Sequence, residues 1–160
     1  MAPASRVYAA ALRQTVRRCA ADRLSSLLLD LVERDRVARL RVIAEFADDL
    51  AAACGWAPLA AEVTSEVERA LAFSIRANTI PQPRNLVPIR AALRACPRLL
   101  ARANLDAAAQ LADFLGHYGD VRSLPTALDS ALGAARAAIS EVRDTEAAEA
   151  LAAELDGFSG

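Results

Sequence analysis

Apolar residues recur along most of this chain at intervals of three and four, and nowhere do they alternate over a useful length. Three- and four-residue spacing gathers side chains on one face of an α-helix, whereas a half-buried strand needs a period of two. The first run carries Val7, Leu12 and Val16, then Leu24, Leu27, Leu28 and Leu31. The next carries Leu40, Ile43, Ala47, Leu50 and Cys54, spaced 3, 4, 3, 4. Leu59, Val63, Val67, Leu71 and Ile75 follow, each four apart, and a later seam runs through Leu128, Leu132, Ala135, Ile139 and Val142.

Helix breakers divide these runs. Neither Gly nor Pro occurs from Ala4 to Cys54, a stretch too long for one ordinary helix. The natural split is at Asp35, whose carboxylate can cap the following helix, with a further break expected near Asp22 to Ser25. Gly55 ends the second run, and Pro58 suits the first turn of the third. Asn78 to Asn85 must be a loop, since Pro81 and Pro83 favour an extended path. A short helix is expected from Val87 to Ala95, interrupted by Pro97. The next starts near Asn104 or Asp106 and closes around Gly116 to Gly119. Leu124-Pro125-Thr126 opens the last long run, and Asp144-Thr145 caps a final helix with Leu151 and Leu155.

The pattern predicts an all-α fold, a single antiparallel bundle of six or seven helices joined by short loops. It spans residues 1–156 as one domain, with 157–160 a frayed tail. No internal repeat or composition shift argues for a second domain. Composition agrees: apolar types make up 54% of the 160 residues but aromatics only 4%, so the core is built from Ala, Leu, Val and Ile.

Chemistry is sparse. The only histidine, His117, lies between Gly116 and Gly119 and suits a helix end, where an imidazolium complements the dipole. Glu45, Asp48 and Asp49, and likewise Glu62, Glu66 and Glu68, share helical faces. A metal site within a bundle wants histidines to complete such sets, and a solvated acidic face is the expectation. No nucleophile elbow, phosphate-binding glycine loop or dinucleotide fingerprint occurs, so no enzyme, cofactor or metal centre is expected. Cys19, Cys54 and Cys96 form no close pair, and the expectation is buried free thiols in a reducing, cytoplasmic setting. No apolar run is long enough to span a membrane.

Charge is more informative. All nineteen basic residues are Arg, as GC-rich coding favours, and the net charge is −1. Between Glu68 and Asp106 stand seven arginines and no acid, and from Asn104 onward ten acids face three arginines. Arg90, Arg94, Arg98 and Arg102 recur every fourth residue and share one helix face if the helix continues through Pro97. Two readings compete for this row. It packs beside the acidic C-terminal helices, or it forms an exposed stripe for an acidic partner. Residues 2–21 are Arg- and Ala-rich and acid-free. Besides a bundle helix, they fit a mitochondrial presequence or an amphipathic helix lying on an anionic membrane.

Ile43-Ala-Glu-Phe-Ala-Asp-Asp-Leu50 resembles the apolar-and-Asp core of the BH3 helices that bind Bcl-2 folds. The first apolar position of that pattern falls on Arg39, and no companion motif appears, so no membership is assigned. Small helical bundles serve in cell-death and immune signalling, a fold-level analogy that keeps such an adaptor among the readings. The expectation is a non-enzymatic protein–protein interaction module, an adaptor or a structural subunit of an oligomer or larger assembly. Its partner is a protein, including a second copy of itself, bound through Arg90, Arg94, Arg98, Arg102 and Trp56. The alternative is a nucleic-acid-associated protein using an arginine stripe on residues 84–102, and salt dependence separates the two.

Overall fold

The computed structural model describes residues 3–76, 82–118 and 123–158, with side chains for 6–71, 82–117 and 123–158. It is all-α. The helices are α1 (Pro3–Arg18), α2 (Ala21–Arg34), α3 (Arg36–Glu45), α4 (Ala47–Cys54), α5 (Trp56–Arg76), α6 (Val87–Ala92), α7 (Pro97–Tyr118), α8 (Leu124–Ser140) and α9 (Thr145–Asp156). A 3-10 turn, Pro83–Leu86, precedes α6, and no strand occurs among the described residues. Of the expected loop at 78–85, residues 78–81 lie outside the described residues, as does Gly119.

Nine α-helices among the described residues exceed the six or seven expected because the two long N-terminal runs each divide. The first breaks at Cys19–Ala20, upstream of the expected Asp22 to Ser25. Ala20 is extended there, and its carbonyl accepts from the Arg23 and Leu24 amides. Arg17 and Arg18 sit in the last turn of α1 and Asp22 in the first turn of α2, the arrangement that complements both helix dipoles. The second run breaks at Phe46 (φ −111°, ψ 23°), with Asp48 and Asp49 in the first turn of α4. This break also divides the stretch that resembles a BH3 core. Asp35 caps α3 as expected, accepting from the Val37 and Ala38 amides at 2.9 and 3.2 Å.

Pro97 differs from expectation in the opposite sense. It opens α7 instead of interrupting a helix, because a first-turn proline sacrifices no intrahelical hydrogen bond. The helix therefore begins seven residues before Asn104. Gly55 ends α4 with φ +84°, a conformation glycine adopts without strain, and its amide donates to the Ala51 carbonyl at 2.7 Å.

The chain divides into two compact units, residues 1–39 and 40–160, with the boundary inside α3. In the first unit no described side chain is buried. Val7, Tyr8, Leu12, Val16, Leu27, Leu28, Leu29, Leu31 and Val37 are all exposed. The C-terminal end of α2 is closed by Arg39, whose guanidinium donates to the Val32 and Glu33 carbonyls at 3.1 and 3.4 Å. Those carbonyls lack intrahelical partners, which is why a cation settles there.

The second unit has a continuous core. Leu40, Ile43, Ala44 and Ala47 are buried along α3 and the start of α4, and the four-residue stripe Leu59, Val63, Val67 and Leu71 is buried along α5. The most extensive helix pair is α7 with α8. Its buried residues are largely alanine: Ala101, Ala103, Ala107 and Ala108 on α7, and Ala131, Ala135 and Ala138 on α8. Leu132, Ile139 and Val142, expected on the seam of α8, flank this line half-buried. Side chains that end at Cβ let two backbones approach to the short end of the usual interaxial range. A second cluster joins Ala101, Leu105, Ala135 and Ala138 to Leu151 and Leu155 of α9, and Phe158, in the tail expected to fray, packs against it.

A contact of this kind tolerates no added volume. Ala135→Leu should cost about 2 kcal/mol through overpacking, whereas Ala137→Leu, on the exposed face, should stay within about 0.5 kcal/mol. Urea unfolding midpoints of the two variants check this.

Candidate interaction surface

The arginine row does not lie on one continuous helix. Arg90 belongs to α6, Arg94 to the turn that follows, and Arg98 and Arg102 to α7. The chain re-enters α7 so that Arg90, Arg98 and Arg102 each reach partners within residues 40–160, while Arg94 remains exposed.

Arg90 is half-buried, and its Nε donates to Asn104 Oδ1 at 2.8 Å. Asn104 is 1% exposed and donates in turn from Nδ2 to the Leu100 carbonyl at 2.9 Å. A buried amide with both ends satisfied is tolerable in a core, and one left open is not. Burial holds the Arg90 guanidinium below its ordinary pKa, since desolvation disfavours the charged form.

Arg98 lies flat against Trp56, with its guanidinium carbon 4.1 Å from the ring centroid, and reaches Asp144 at 3.7 Å. Trp56 is the first residue of α5 and is half-buried. Asp144 also caps α9, accepting from the Ala147 amide at 3.1 Å. One guanidinium thus connects the starts of α5 and α9 to α7 by a cation–π contact and an ion pair.

Arg102 is the most heavily engaged. It donates to both carboxylate oxygens of Glu154, at 2.9 and 2.6 Å, and from Nε to Asp106 Oδ1 at 3.1 Å. Thr64 Oγ1 donates to the other Asp106 oxygen at 2.7 Å. The chain Thr64–Asp106–Arg102–Glu154 therefore ties α5, α7 and α9 together. The hydrogen bonds that Arg102 donates to Glu154 raise the Arg102 pKa, while burial pushes the Asp106 carboxyl up against the opposing pull of Thr64 and Arg102.

Beside this clamp runs a groove of about 830 Å³, lined among others by Phe46, Asp48, Asp49, Trp56, Arg98 and Asp144. Glu45, Asp48 and Asp49 are exposed around it, and among the described residues no three His, Cys, Asp or Glu side chains gather to hold a metal ion. His117 stands in the last turn of α7, as the sequence suggests. The cysteines are all free, but only Cys96 is buried; Cys19 is half-buried and Cys54 exposed, so the expectation of three buried thiols holds for one. Cys54 is the last residue of α4, one turn beyond the half-buried Leu50.

Sequence reading missed two features. Asn104 gives no sign of burial in a sequence, since a single polar residue on an apolar face is as readily a helix start. The second is the set Leu24, Leu27, Leu28 and Leu31 on α2. Periodicity shows that these leucines share a face, but it does not say what covers that face, and in the structure none of the four is buried. No described helix is long and apolar enough to cross a membrane.

The raised Asp106 pKa fixes a sign. The folded state takes up this proton at higher pH than the unfolded chain, so stability falls as pH rises through that window, and the ionised carboxylate subtracts from stability at neutral pH. Asp106→Asn should then leave neutral-pH stability unchanged or improved, with wild type gaining relative to the variant on acidification. Arg102→Ala leaves Glu154 and Asp106 without their cation and should cost about 2 kcal/mol. Denaturant titrations at acidic and neutral pH check both.

Comparison with protein-family models gives no match, and no curated protein or solved structure matches the chain.

Proposed function

We propose that the protein is a non-enzymatic protein–protein interaction module, a structural subunit that assembles through α2. One observation carries this reading: Leu24, Leu27, Leu28 and Leu31 form an apolar helix face on which no residue is buried. Valine at position 32 widens the face, and Asp22, Ser26, Asp30 and Glu33 occupy the opposite side. Four leucines over two turns are what a helix–helix interface requires, and soluble oligomers are most often built from identical copies. The unit 40–160 then serves as a separate antiparallel bundle. The free thiols suit a reducing compartment, which favours the cytoplasm.

Engagement of Arg90, Arg98 and Arg102 inside the fold supports this reading over a phosphate-binding stripe on residues 84–102. Guanidinium heads that satisfy an amide, an indole face and three carboxylates are not open to an incoming ligand without losing those contacts. The exposed Arg84 and Arg94 make only a small electrostatic footprint.

The test is molar mass by light scattering at low and high salt. The expected result is a species larger than a monomer that persists in high salt, as an apolar interface should. Leu27→Glu with Leu31→Glu should return it to a monomer of unchanged helix content for residues 40–158. A monomer at both salts, or an assembly indifferent to the double substitution, contradicts the reading.

A further inference from the structure

The helix α1 poses a different problem from α2, and its charge suggests a different partner. From Pro3 to Arg18 it carries Arg6, Arg13, Arg17 and Arg18 and no acid. Viewed down the axis at ~100° per residue, Arg6, Arg13 and Arg17 fall within about 40° of one another. Tyr8, Leu12 and Val16, each one turn apart, form the adjoining stripe, with Ala9 and Ala11 at its edges and Arg18 on its far side. These three apolar residues are 70%, 51% and 45% exposed. The apolar stripe is thus flanked by three arginines on one side and by Thr15 and then Arg18 on the other, with no acid on the helix.

We infer that α1 is a surface-binding helix for an anionic lipid bilayer, lying in the headgroup plane with Tyr8, Leu12 and Val16 turned inward. The combination of a modest apolar face, a guanidinium-rich border and an aromatic at the edge is what such a plane selects. Arg stems run along apolar surface while their heads stay at the phosphates, so the flanking arginines add contact as well as charge. Pairing with α1 of a second copy is disfavoured because the flanks would set Arg against Arg. Nucleic acid satisfies the arginines but leaves Tyr8, Leu12 and Val16 in water. Residues 1–39 hold eight arginines against four acids, so the whole unit is attracted to a negative surface. This inference does not rest on the leucine face of α2, whose polar side carries Asp22, Asp30 and Glu33.

The experiment is co-sedimentation of the full chain with phosphatidylcholine vesicles, with and without phosphatidylserine, at two salt concentrations. Binding to the anionic vesicles only, weakening with salt, is expected. Leu12→Glu with Val16→Glu should weaken it at least about ten-fold, and so should Arg13→Glu with Arg17→Glu. No buried contact is lost in either variant, and an unchanged thermal transition confirms that residues 40–158 stay folded. Equal binding to neutral vesicles, no binding at low salt, or full binding by the Leu12/Val16 variant each overturns the inference. So does tighter binding to a DNA oligonucleotide that ignores the Leu12/Val16 substitution. The Leu27/Leu31 variant should keep its preference for anionic vesicles, so that failure of assembly and failure of membrane binding are read separately.

Discussion

Where α7 meets α8 many of the buried positions are alanine, among them Ala101, Ala131, Ala135 and Ala138, and a helix pair whose contact residues end at Cβ must come close or leave a void. Protein interiors do not tolerate voids of that size, so the two backbones are drawn together and the rest of residues 40–158 is arranged around them. Ala101 and Ala135 have no accessible surface at all. The one buried polar side chain among the described residues, Asn104, lies on α7 as well. It is kept satisfied by the Leu100 carbonyl behind it and the Arg90 guanidinium in front. Earlier on the same helix, Arg98 and Arg102, one turn apart, secure α9 through its cap Asp144 and its late residue Glu154. The arginine row thus works largely from within, as the acidic C-terminal third of the sequence suggests it could.

Much of this was legible in the residues. The stripe Leu59, Val63, Val67 and Leu71 is uniform enough to fix the inner face of α5, and Asp35 and Gly55 punctuate helices as their chemistry demands. Less legible were breaks without Gly or Pro. At Cys19–Ala20 and at Phe46 the helix ends although every residue there is a tolerable helix former. The available signal was electrostatic: cations at the end of α1, acids opening α2 and α4. Pro97 was misjudged because proline ends one helix and begins another with equal ease, and only tertiary contact decides which. Spacing of four placed Arg90 through Arg102 on one notional face; the turn at 93–95 redistributes them, and which head meets which partner depends on that turn.

The two units differ in how they satisfy their apolar residues. Residues 40–158 bury most of theirs among themselves, Phe46 and Val87 excepted, while no described side chain of residues 6–39 is buried. Exposed apolar area on this scale marks an interaction surface when it is organised, and here it is organised into two helices of unlike character. The polar side of α2 is mixed in sign and mostly acidic, which suits a helix packing on a protein. The flanks of α1 are purely cationic, which suits an anionic plane. An amphipathic period tells us that a face exists; the charges around it say what kind of surface can meet it.

Residues 6–34 leave their apolar faces exposed, whereas residues 40–158 enclose a core of their own. Hydrogen exchange followed by mass spectrometry on the dilute monomeric chain tests this contrast most directly. The account predicts strong, cooperative protection across α5 and α7 to α9, and exchange faster by orders of magnitude in α1 and α2, because isolated helices of this length are marginal in water. Protection of α1 and α2 equal to that of α7 in the monomer would mean that the chain itself covers their apolar faces, and would contradict the account.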